Sequence, residues 1–339
     1  MGNPIENQII QFIGFFCSEI FHFLLLYFIH TRATKQFGSY KILMASFSVF
    51  SIVYALVEIL IEPIMHVSGT GLMLYVGSSV INYSKEVGHY LSVLYCSSFA
   101  LCVFFLSAHF FYRYTAVCSP RLLRMLDGYK VFRLLIPIFS LGTLMFINVS
   151  WFGTPSDFKS EYLRESLKRE YNDDSYTVGQ ISAVFYIHDP SGSIRIFWKD
   201  CIGIFNVYII LFLSISTIIF FAVKTFRTVY YHTKHRKSKK NCEIHRQLFH
   251  TLIIQSLIPM FILFLPTGFL LTLPFFNAKE VPRVLCNAPG FGASFYPALD
   301  ALTAMIMIKD FRRAIFCLPK VPRIRVSSIP DSMFTQLHS

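Results

Sequence analysis

GHYLSVLYCSSFALCVFFLSAHFFY, residues 88–112, runs for 25 positions without an Asp, Glu, Lys or Arg, and Arg113 ends it. A bilayer hydrocarbon core about 30 Å thick needs ~20 mostly apolar residues per helical crossing. The stretch is long enough to cross once. Six others like it lie at about 8–30, 40–66, 133–153, 200–223, 247–274 and 285–308. The expected fold is an all-α membrane protein, a bundle of seven transmembrane helices. One integral domain takes residues 1–318, and 319–339 form a short cytoplasmic tail. Residues 1–7 lack a basic stretch, so the first crossing is expected to act as its own uncleaved insertion signal.

Basic residues set the expected orientation. Segments 31–41, 113–133, 224–246 and the tail from 309 hold 22 of the 31 Lys and Arg but only four acids: Asp127, Glu243, Asp310 and Asp331. Short loops rich in Lys and Arg stay in the cytoplasm. These four segments alternate along the chain, so the N-terminus is expected outside and the C-terminus inside. The net charge of +12 then belongs to a surface facing anionic lipid, and nucleic acid is not an expected partner.

The loops on the other side carry local signals. Segment 67–87 is short and polar, and Asn82-Tyr83-Ser84 is an N-glycosylation acceptor pattern. Asn148-Val149-Ser150 repeats that pattern inside a crossing, where it has no such meaning. In 154–199, Phe158, Tyr162, Leu163, Leu167 and Tyr171 recur at helical spacing, and Glu165 precedes Arg169 by four. A short amphipathic helix is expected there. Val184–His188 and Ile194–Trp198 flank Asp189-Pro190-Ser191-Gly192, which reads as a β-hairpin. Such a hairpin is a lid over a ligand cavity or a passive cover over helix ends.

The chain lacks the usual chemistry of an enzyme. Its Cys and His have no zinc spacing, and there is no phosphate loop or nucleophile elbow. No enzyme activity, metal or cofactor is expected. His232, His235 and His245 fall in a basic loop and read as solvated. Eight cysteines, Cys17, Cys96, Cys102, Cys118, Cys201, Cys242, Cys286 and Cys317, lie mostly in crossings or on the reducing side. Cys96 and Cys201 are placed either to pair or to stay ordinary buried thiols. Cys317, beside Arg312 and Arg313, is a candidate for palmitoylation.

Acids inside a bilayer are costly and usually functional. Glu19, Glu58, Glu62 and Asp300 are such acids. Glu58 and Glu62 are four apart and share one helix face. Either they line a polar cavity or each bonds a neighbouring helix. Phe261, Phe264, Phe291 and Phe295, on the sixth and seventh crossings, are candidates to wall an apolar pocket. Pro63, Pro137, Pro259, Pro266, Pro289 and Pro297 interrupt crossings and kink them.

Several stretches carry a resemblance. His109-Phe110-Phe111-Tyr112-Arg113-Tyr114-Thr115-Ala116-Val117-Cys118 resembles the nematode chemoreceptor version of the G-protein-coupled receptor signature, with Tyr112 in place of the acid before the Arg. Gln247-Leu248-Phe249 through Gln255-Ser256-Leu257-Ile258-Pro259 resembles that family's sixth helix. Phe295-Tyr296-Pro297-Ala298-Leu299-Asp300 with Ile308-Lys309-Asp310-Phe311-Arg312-Arg313-Ala314-Ile315 resembles its seventh. Gly38-Ser39-Tyr40-Lys41-Ile42-Leu43-Met44 and Pro63-Ile64-Met65-His66 resemble its second. In order and over nearly the whole chain, these resemble serpentine receptor class r. Ala301 departs from the second Pro often found there.

The resemblance implies a chemosensory, olfactory receptor in the ciliary plasma membrane of sensory neurons. Its partners would be a small, volatile odorant, a heterotrimeric G protein and membrane lipid. It gives Arg113, Tyr112 and Asp300 the role of activation switch, and it puts the ligand among crossings 3, 5, 6 and 7. A ligand-gated odorant channel needs the opposite orientation. A small-solute transporter would show repeated halves.

Overall fold

The computed structural model describes residues 5–33, 37–77, 81, 83–189, 192–235, 239–278 and 281–316. Asn82, the turn residues Pro190 and Ser191, Cys317 and the tail 319–339 lie outside the described residues. So do the side chains of His232, His235, Cys242 and His245.

The helices are α1 (Ile5–Arg32), α2 (Tyr40–Ile61), α3 (Lys85–Cys118), α4 (Pro120–Met125), α5 (Leu135–Phe152), α6 (Asp157–Tyr171), α7 (Trp198–His235), α8 (Lys239–Pro259), α9 (Leu265–Thr272), α10 (Arg283–Met307) and α11 (Lys309–Ile315). Six helical segments are long and apolar enough to cross a membrane. The seventh, α10, meets that test together with α11, from which it is bent by 97°. The sixth crossing is compound. Pro259 has no N–H to continue the helical ladder, and a π turn at Met260–Phe264 joins α8 to α9.

Burial divides the bundle into centre and rim. In the most apolar window of α3, 61% of residues are buried, against 6% in α7. Helix α3 is therefore the central post, packed on α2, α5 and α7, while α7 stands at the rim. Lipid is as apolar as Leu, so helices in a bilayer associate through close packing more than through hydrophobic burial. Small residues make the close approaches. A Cβ on Gly292 of α10 would lie 1.9 Å from the Ile262 carbonyl of the π turn. A Cβ on Gly14 of α1 would lie 2.7 Å from the Ser294 carbonyl of α10.

Several expected boundaries move. The second crossing, read as 40–66, ends at Ile61: Glu62 takes a left-handed conformation (φ 46°) and Pro63–Ser68 is strand β1. The segment expected to be a polar loop instead supplies β2 (Gly71–Val76), whose residues are mostly buried. Gly69, with φ 58°, makes the turn between them. Gln180–Val184 is strand β3 and pairs antiparallel with β2. The expected hairpin is present but shorter: β4 (Tyr186–His188) pairs with β5 (Ile194–Ile196). Val184 belongs to the larger sheet, and Trp198 starts α7. The basic stretch from 224, read as a loop, is largely helix, because α7 runs on to His235 and α8 begins at Lys239.

The amphipathic helix is α6. Ser156 caps it by accepting from the Lys159 N–H, and Leu163, Leu167 and Tyr171 turn inward onto the sheet. The sheet and α6 close one end of the bundle, here called the sheet end. At the far end Phe311 of α11 stacks on Phe28 and Phe37.

Candidate functional site

Side chains alternate across the sheet. Ile64, Met73 and Tyr75 pack against Leu163, Leu167 and Tyr171 of α6. Met65, Leu72, Leu74, Ile181 and Ala183 point the other way, into a cavity of about 190 Å3 between the helices. Its helical walls come from α3 (Tyr95, Phe99, Ala100), α5 (Met145, Val149), α7 (Ile204, Val207, Leu211), α9 (Thr267, Leu271) and α10 (Pro289, Gly290). The walls are almost wholly apolar. Asn148 and Asp200, which reach them, are paired. Asn148 donates to the Gly203 carbonyl (3.1 Å) and accepts from Asn206 (3.0 Å).

One ion pair joins the sheet end to the cavity. Lys159 Nζ donates to Asp200 Oδ1 (2.7 Å), to the Ser182 carbonyl (3.1 Å) and to the Thr154 carbonyl (3.2 Å). That uses all three ammonium donors. Asp200 Oδ2 accepts from the Val184 N–H at 2.8 Å. Burial pushes the Lys159 ammonium below its ordinary pKa, and Asp200 pulls it back up. The pair ties α6, β3 and the first turn of α7 together. Sequence reasoning passed over it, though a signal was there: a Lys in the first turn of a helix opposes the helix dipole, so Lys159 needs a partner elsewhere.

The far end holds the second feature. Arg113 is only 2% exposed. It was expected to end the apolar crossing, but α3 continues to Cys118 and keeps it inside. Its guanidinium carbon lies 3.4 Å from the centre of the Tyr40 ring, a cation–π contact. Among the described residues, Arg113 Nε and Nη2 have no hydrogen-bond partner. Tyr40 Oη is 3.0 Å from His109 Nδ1, and the Tyr112 ring is 5.5 Å from that of Tyr40. Asp300 is buried on α10, and its backbone carbonyl accepts from Gln255 Nε2 of α8 at 3.3 Å.

The other expected site residues fall elsewhere. Glu58 does not line the cavity; Ser294 Oγ donates to its Oε1 at 2.7 Å, so it bonds α2 to α10. Glu62 leaves the helix face it was expected to share, because the helix ends there. Phe261 is 62% exposed on the bundle surface. Phe264 packs edge-on to Phe99, one layer behind the wall, and neither Phe291 nor Phe295 lines the cavity. The pocket also draws on the fourth crossing, beyond the four expected. Cys96 and Cys201 are both free thiols. The β4–β5 hairpin contributes no cavity wall; the β1–β2–β3 sheet is the cover.

Known proteins agree with this architecture. The crystal structure of squid rhodopsin superposes with a TM-score of 0.60 over 92% of this chain and 78% of that one, at 13% identity, which speaks for the fold alone. Serpentine receptor class r-10 of Caenorhabditis elegans is 34% identical over 89% of this chain and 86% of its own length. Its counterpart in Caenorhabditis briggsae is 32% identical over 91% and 90%. The model of the Str family, serpentine-type seven-transmembrane G-protein-coupled chemoreceptors, matches residues 7–316. With that family's pattern carried along nearly its whole length, the chain belongs to the Str chemoreceptors.

Proposed function

We propose that this chain is an olfactory receptor that takes a small, neutral, volatile ligand into the roofed cavity and activates a heterotrimeric G protein at the far end. The sheet end faces outside and the C-terminus faces the cytoplasm, in the plasma membrane of a sensory cilium. Asn82 carries a glycan and Cys317 an acyl chain. The observation that carries this reading is the cavity itself. It is apolar, lies under the sheet and measures about 190 Å3, and dry cavities of roughly 150 Å3 hold benzene.

A ligand shifts a receptor only by binding one state better than another. Five crossings meet around the cavity, so filling it biases how they pack. At the far end, buried donors without acceptors are costly, and Arg113 has two. A rearrangement that frees Arg113 from Tyr40 gives those donors partners on the G protein. Tyr112 and Asp300 complete the switch.

The test is a response assay in cells that express the chain with a G-protein reporter. Ala100 lies on the cavity wall and is buried. Ala100→Phe fills the space and is expected to abolish the response to every ligand that activates the parent, at unchanged surface density. A full response from Ala100→Phe would remove the cavity from the mechanism.

A further inference from the structure

A second hollow of about 430 Å3 opens on the flank of the bundle, between the start of α7 and the 3-10 turn Leu273–Phe276. Trp198, Phe205, Tyr208 and Phe275 line it, and so does Ile204. Ile204 also walls the inner cavity, so a single aliphatic side chain borders both spaces. Trp198 and Phe205 are 68% and 63% exposed, on a helix that crosses the bilayer. Their surroundings are lipid, and a Trp at the start of a crossing marks the membrane interface.

Among the described residues, the sheet end is covered by two layers. There the cavity is covered by the sheet, and the sheet by α6, with Ile64, Met73 and Leu163 almost fully buried between them. Lys159 and Asp200 bind the two layers to α7. The flank has no such clasp. It is mostly apolar; its polar groups are the Trp198 indole N–H, the Cys201 thiol and the Tyr208 hydroxyl, which is buried and has no hydrogen-bond partner among the described residues.

We propose that the ligand is a neutral, lipid-soluble molecule that dissolves first in the bilayer and enters the cavity sideways past Ile204. This rests on reading the inner cavity as the ligand site. A molecule that partitions into lipid is concentrated at this opening, and an ionised or strongly hydrated one is excluded. Side-chain rotation of Ile204 is the gating motion, so changing its bulk changes the exchange rates.

The probe is fluorobenzene, followed by 19F NMR exchange on the full chain in phosphatidylcholine nanodiscs. Ile204→Trp is expected to slow association and dissociation, each roughly tenfold. Ile204→Ala is expected to speed both. Phe275→Trp narrows the flank opening without touching the cavity wall and is expected to slow both as well; it replaces Ile204→Trp should that variant fail to insert. Parental rates in Ile204→Ala and Phe275→Trp would overturn side entry and leave the cavity standing. That outcome includes a flank hollow filled permanently by a lipid chain. If the parent shows no exchange that Ala100→Phe removes, the cavity reading fails, and side entry with it.

Discussion

Arg113 illustrates how one side chain can hold a state. A guanidinium buried against a tyrosine ring is stabilised by the ring's negative face, by about 2 kcal/mol where it is desolvated, yet two of its donors are idle. Removing the ring tilts the balance. Tyr40→Leu is expected to raise ligand-independent signalling, and Arg113→Ala to abolish ligand-dependent signalling, both read as G-protein activation at matched surface density. Arg113→Lys should restore only part of it, since an ammonium lacks the planar fork. Normal signalling by Arg113→Ala would end its assignment as the switch. At the sheet end His66 is the corresponding case for pH. Burial, with Arg169 nearby, lowers its pKa to about 4, from an ordinary value near ~6.5. Its Nε2 lies 2.9 Å from Ser166 Oγ, and Glu170 lies 3.8 Å from its Nδ1. The unfolded chain therefore binds more protons between those values. His66 contributes its stability fully above pH ~6.5 and loses it as the pH falls toward about 4. Thermal unfolding of His66→Gln in nanodiscs should show a smaller loss over that window than the parent. Parallel curves would show that His66 does not titrate with unfolding.

At the scale of elements, the sheet end is the part the sequence half disclosed. The α6 helix was legible because Leu163, Leu167 and Tyr171 follow a helical period and Glu165 precedes Arg169 by four. The β4–β5 hairpin was legible from its turn. Strands β1 and β2 were not. Pro63-Ile64-Met65-His66 follows an apolar helix without a break in hydrophobicity, and β2 is apolar on both faces because α6 covers one and the cavity lies under the other. A doubly buried strand carries no alternation to read. What holds these elements on the bundle is the ion pair of Lys159 and Asp200. Removing one partner of a buried pair leaves a bare charge and costs about 3–5 kcal/mol. Lys159→Met should accordingly lower the unfolding temperature in nanodiscs and weaken ligand response. Adding Asp200→Asn should recover part of the loss. If Lys159→Met melts with the parent, the clasp contributes nothing.

At the scale of the molecule, orientation decides what each end can meet. Twenty-two basic residues on alternate segments are the ground for proposing that the far end faces the cytoplasm. Epitope tags on both termini, probed in intact and permeabilised cells, should show the N-terminus accessible in intact cells and the C-terminus only after permeabilisation. The reverse would turn the switch outward and favour a channel of opposite topology. Much of this scale was written in the chain. The seven-helix fold and the family pattern follow from hydrophobic length and local motifs, because a bilayer demands ~20 apolar residues from each helix whatever its neighbours are. The cavity wall, the burial of Arg113, the bond from Glu58 to Ser294 and the partner of Lys159 were decided only by tertiary structure. In a crossing every face is apolar, so hydrophobicity carries no mark of which face meets lipid and which meets protein. Phe261 and Phe99 look alike in sequence. The packing of five helices and a sheet sets one against lipid and the other against the cavity.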